Sequence, residues 1–107
     1  MNKYRDKSDF EINKAVAVNI NGTDAVLEKF GSIYISDGDR GAMVSFSPCN
    51  NPADAMPIII ENGISSLFSD DEWICSVPYT GFLSINENLY RAAMEVFLMM
   101  KDAENES

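Results

Sequence analysis

Two adjacent amides, Asn50 and Asn51, precede Pro52, with Asp54 two residues further on. Amide side chains beside a helix N-terminus can line a small polar pocket, and free backbone N–H groups there attract anions. Capping and loop anchoring are the plainer use of such asparagines. Trp73 and Tyr79 are further candidates for a pocket wall, although single aromatics in strand-like segments are more often core. Arg91 stands in an otherwise apolar stretch, four residues before Glu95. That spacing suits an ion pair on one helix face. The alternative is an arginine reaching a carboxylate or phosphate of a ligand.

Other constellations carry less. Asp37-Gly38-Asp39 opens like a calcium loop, but its twelfth position is Pro48 rather than Glu, so a turn is the better reading. Asp70-Asp71-Glu72 offers oxygen ligands to a hard cation and reads better as a solvated acidic turn. Histidine is absent, which removes histidine triads and histidine-ligated metals. There is no Gly-rich dinucleotide fingerprint and no phosphate-loop lysine. Carboxylate pairs for acid–base work need geometry to assign. The two cysteines, Cys49 and Cys75, read as small buried hydrophobes, with no histidine or neighbouring lysine to lower a thiol pKa. No catalytic residue, metal or cofactor is assigned.

The chain has 107 residues, enough for one domain with a single small core. It carries 17 acidic and 8 basic side chains, for a net charge of −9. Four of those 8 basic residues (Lys3, Arg5, Lys7, Lys14) fall within the first fourteen positions, so the rest of the chain is more acidic still. Such a field repels nucleic-acid phosphates and anionic lipid, which argues against direct nucleic-acid or membrane binding. The first ten residues lack an apolar segment, and the longest apolar-rich run, Leu89 to Met100, is too short to span a bilayer. A cytoplasmic protein is expected.

Residues 1–8 read as a flexible mixed-charge arm, 9–101 as one α+β domain, and 102–107 as a frayed acidic tail. Ser8-Asp9-Phe10-Glu11 is a capping box that starts a helix running to about Val18, followed by a turn at Asn19–Gly22. Residues 32–35 and 43–46 suit a hairpin around Asp37-Gly38. Asn51 can cap a second helix with Pro52 at its first position and Gly63 at its end; Pro57 predicts a kink. Ile64–Phe68 and Trp73–Val77 suit a second hairpin. Asn86 can cap a last helix from Glu87 to Lys101. That helix is apolar around most of its circumference, so it is either central to the core or sandwiched between its own sheet and a second subunit. The expectation is a small, mostly antiparallel sheet of about four or five short strands with three helices, the C-terminal one packed on the sheet.

Three blocks together resemble the NinX-like proteins of lambdoid bacteriophages and prophages. They are Ser8–Ala17, Pro48–Ala55 continuing to Ile64, and Arg91–Met94 with Val96–Met100. What the resemblance implies is context: accessory genes of phage, a family of unknown function, and no catalytic residue to carry over. The family usually has Trp where this chain has Met56. If that ring is a partner platform, the surface differs here; if it fills core, Met is a flexible substitute.

Two kinds of function follow. One is a non-enzymatic binding module that modulates or inhibits a host protein, in counter-defence for example. The other is an oligomeric small-molecule binder that sequesters a nucleotide-like, anionic signal. Asn50, Asn51, Asp54, Met56, Trp73, Tyr79 and Arg91 are the candidate contacts, and a homodimer through the C-terminal helix is expected.

Overall fold

A computed structural model describes residues 2–36 and 41–105. The turn expected at Asp37–Arg40, with its calcium-loop alternative, lies outside the described residues.

Helix α1 spans Asp9–Asn21. Ser8 Oγ accepts from the Glu11 amide, and the Glu11 carboxylate accepts from the Ser8 amide, so both halves of the capping box are present. The helix passes through the turn expected at residue 19, because the Asn19 and Asn21 side chains donate to the carbonyls of Ala15 and Ala17 and add another turn. It stops at Gly22, whose φ of 83° needs no Cβ.

The first sheet holds β1 (Val26–Lys29), β2 (Ser32–Ser36) and β3 (Met43–Ser45), all antiparallel. Helix α2 covers Pro52–Glu61 with Asn51 as its cap. It runs unbroken past Pro57. The amide lost there would have met the carbonyl of Ala53, and both residues are exposed on the helix surface, within reach of water. Its end is a Schellman motif: Ile64 N–H donates to Ile59 O and Gly63 N–H to Ile60 O, with Gly63 left-handed. The second sheet holds β4 (Ser65–Ser69), β5 (Glu72–Ser76) and β6 (Leu83–Asn86), again antiparallel. The architecture is α+β, with six strands divided between two three-stranded sheets rather than four or five in one.

Helix α3, Leu89–Asn105, is the hub. It packs on β5 and β6, on α1 and on α2, while α1 lies against β1 and β2. Every residue from Arg91 to Leu98 is therefore buried within one chain. The apolar residues at the two ends of that run, Leu89, Tyr90, Met99 and Met100, are partly buried. The cap is Asn88 rather than Asn86: Asn88 Oδ1 accepts from the amides of Tyr90 and Arg91, and Asn86 supports Asn88 in turn. The helix continues through the expected tail to Asn105, where the Asp102 carboxylate accepts from the Tyr4 hydroxyl and pairs with Lys3.

The residues expected to form a free arm are docked. Tyr4 is buried, and the Arg91 guanidinium donates to the carbonyls of Tyr4 and Lys7 at 2.9 and 2.6 Å. A guanidinium inside the core needs acceptors, and the N-terminal backbone provides them.

Candidate functional site

The candidate residues do not converge. Arg91 is 7% exposed. Its Nε donates to Glu95 at 2.6 Å and its Nη1 to Asp9 at 2.6 Å, while Nη2 serves the N-terminal carbonyls. Burial alone would lower its pKa, but the hydrogen bonds it donates to Asp9 and Glu95 outweigh that and raise it. Glu95 also accepts from Asn2 and Ser84. The cluster ties the N-terminus, α1, α3 and β6 together, and all three guanidinium nitrogens donate within the chain.

The Asn50–Asp54 block is likewise a clamp. Asn51 Oδ1 accepts from the Ala53 amide, and Asp54 Oδ2 accepts from the Ser47 amide at 2.9 Å. Asn13, buried on α1, accepts from Cys49 N–H at 2.9 Å and donates to Ser47 Oγ. Asn88 donates to the Cys49 carbonyl at 2.8 Å. The 47–51 loop is thus held from three elements. Asn50 borders a polar depression of about 240 Å³ shared with Asp9 and Asn13. Asn13 and Asn88 escaped the sequence reading. The available signal was a polar side chain at α1 spacing beside Ile12, Val16 and Ala17.

Trp73 is half-buried against Phe68, with ring centroids 5.0 Å apart. Tyr79 is fully exposed in a left-handed turn. Met56 is exposed on α2 and lines none of the cavities described here. Cys49 and Cys75 are fully buried, and burial pushes their thiols up to about 12 and about 11. Neither supplies a thiolate near neutral pH. Asp70 and Asp71 form the tight turn of the second hairpin, at φ 53° and 64°.

A cleft of about 570 Å³ lies between α2 and the first sheet, with α1 and α3 completing its walls. Ile20, Ile35, Phe46, Ile58 and Phe97 form its apolar lining, with Phe97 contributed by α3. Asp54, Glu61, Asn62, Asn19 and Lys101 are its polar residues. Lys101 lies over the Phe97 ring and pairs with Glu104, so its charge is already matched. Asp54 is the one candidate residue that lines it. The volume falls in the range of ligand-binding clefts. What the cleft can do is seat apolar atoms beneath a rim of net negative charge.

Such a molecule is a small acidic α+β protein. The family model of bacteriophage P22 NinX matches residues 3–101, and the chain belongs to that family. No curated protein matches it as a relative. No helix among the described residues is long and apolar enough to cross a membrane.

Proposed function

We propose that this phage accessory protein is a non-enzymatic binding module that engages a host protein and modulates or inhibits it. The observation that carries the reading is the cleft between α2 and the first sheet, apolar within and flanked by Asp54 and Glu61. Its occupant is a segment of the partner that presents one or two large apolar side chains flanked by Lys or Arg. The net charge of −9 steers such a segment toward the cleft. A nucleotide-like anion suits the same cleft poorly, because its phosphates would meet two carboxylates while the one ammonium is paired with Glu104.

A photo-crosslinking residue at Ile20, on the cleft, and another at Phe30, far along the first hairpin, test the reading in infected or lysogenic cells. The expected result is a host protein captured from position 20 and not from position 30. That protein, purified, should bind with an affinity that falls at least tenfold on Ile20→Glu or Glu61→Lys, and that weakens with added salt. Equal binding to both variants, or no capture specific to position 20, overturns the proposal.

A further inference from the structure

Four strands form the edges of the two sheets, and three of them are protected. β1 carries Glu28 and Lys29. β3 is only three residues long. β6 is flanked by the N-terminal segment, where Asn2 Nδ2 donates to Ser84 Oγ at 3.2 Å and Arg5 shares the lining of a depression with Leu83 and Ile85. Among the described residues, β4 has none of these devices. Ser65-Ser66-Leu67-Phe68-Ser69 holds no charge and no proline, and all five residues are exposed. Natural proteins seldom leave such an edge open.

The register of the hairpin says which backbone groups are open. Ser69 faces Glu72 across the two-residue turn Asp70-Asp71. In such a hairpin the closing pair exchanges hydrogen bonds, and pairing alternates from there. Ser65, Leu67 and Ser69 therefore spend their amides and carbonyls on β5, while those of Ser66 and Phe68 point to the free edge.

We propose that β4 pairs antiparallel with β4 of a second copy about a two-fold axis at Leu67. Ser66 of each strand then exchanges both backbone hydrogen bonds with Phe68 of the other, and Leu67 meets its own copy at the close, non-hydrogen-bonded site. On the outer face Leu67 already lies in register with Ile74 and Ile85, and Leu67 and Ile85 are 63% and 49% exposed. Pairing joins that row to its copy and makes one six-stranded sheet from two three-stranded ones. Charge is compatible with this register: Asp70 and Asp71 fall opposite Ile64 and Gly63 of the copy. The two Asp70 residues then stand six strand positions apart, roughly 20 Å, about twice the screening length at physiological salt. A second copy brings its own Leu67 to that site and so continues the apolar row of Leu67, Ile74 and Ile85 across the two-fold axis. The contact is short, so the dimer is a weak one that forms at micromolar concentration or above.

Sedimentation velocity of the full chain from low to high micromolar, at low and at moderate salt, reads the equilibrium. The expected result is a monomer that converts to dimer with concentration, and more readily at the higher salt. Leu67→Lys should stay monomeric throughout, with a melting curve at low concentration like that of the parent. Leu27→Lys, on the outer face of the first sheet, should dimerise as the parent does. Leu67→Cys should oxidise to a covalent dimer, since Cys49 and Cys75 are buried and do not compete; this variant carries the register even if Leu67→Lys folds poorly. A parent chain that stays monomeric under all these conditions overturns the proposal, as does a dimer that forms equally well with Lys at position 67.

Discussion

Arg91 Nε donates to Glu95 Oε2 at 2.6 Å, one helical turn away, with both side chains buried in the middle of the molecule. A charge pair of this kind is costly to desolvate, and breaking it from one side is costlier, because the remaining charge is left without a partner.

Arg91→Met should therefore cost about 3–5 kcal/mol in urea unfolding. Glu95 would be stranded, and the carbonyls of Tyr4 and Lys7 would lose their donor. The double variant Arg91→Met/Glu95→Met should be more stable than Arg91→Met alone, since no orphan charge remains. Trypsin adds an independent readout. Lys3, Arg5 and Lys7 lie in the docked N-terminal segment, so cleavage there should be slow in the parent and fast in Arg91→Met. Additive losses in the double variant, with unchanged cleavage, would mean the pair does not anchor the N-terminus.

Stability should also fall at alkaline pH. Burial raises the Cys49 and Cys75 thiols to about 12 and about 11, from an ordinary value near 9. Burial and the Asp102 carboxylate raise the Tyr4 hydroxyl as well. These groups stay protonated in the folded chain while the unfolded chain releases their protons, so the unfolded state binds fewer protons above about pH 9. Their contribution is whole below that pH and is lost progressively as pH climbs toward the folded values. Urea unfolding under reducing conditions should show a falling free energy between about pH 9 and pH 11, with a shallower fall in Cys49→Ala. An unchanged slope in that variant would remove the thiol from the account.

The parts of the fold that local chemistry decides were legible in the sequence. The capping box at Ser8, the Asn51-Pro52 helix start and the left-handed stop at Gly63 each follow from one residue type in one conformation. The pairing of strands into two separate sheets was not legible, because it depends on how α3 divides the interior. The docked N-terminus was hidden for a similar reason. Nothing in Asn2 or Tyr4 announces a partner some ninety residues away, whereas Arg91 followed by Glu95 did announce a pair. The candidate site was legible only at Asp54. The cleft is assembled from α1, the first sheet, α2 and α3, and no sequence window spans them.

Position 56 can be judged in the same terms. Met56 is exposed on α2 and is not part of the cleft. Met56→Trp, which restores the residue that the resemblance leads one to expect, should change unfolding free energy by no more than about 0.5 kcal/mol. It should also leave binding to a cleft partner unaltered. A loss of several kcal/mol would show that the side chain is packed more tightly than its exposure indicates. Tighter partner binding would extend the interface beyond the cleft to the exposed face of α2 around position 56.

The first hairpin turns at Phe30-Gly31, with φ of 53° and 76°. Two consecutive left-handed residues make the turn that matches strand twist, and Asn-Gly fills it best. Phenylalanine is a poor occupant of the first position, since its Cβ crowds the backbone there at a cost of about 1–2 kcal/mol. Its ring is 91% exposed, and its partner is the Lys29 ammonium, 5.4 Å from the centroid. Such an exposed contact contributes about 0.5 kcal/mol, less than the strain. Phe30→Asn should therefore raise stability by about 0.5–1 kcal/mol and the melting temperature by a few degrees. Gly31→Ala should do the reverse: an added Cβ meets no atom within 4 Å, so its penalty is backbone strain alone, about 1 kcal/mol. Thermal unfolding of the two variants beside the parent separates these terms. If Phe30→Asn destabilises the chain, the ring is seated against something in solution, and the tip of this hairpin is then a contact surface of the protein.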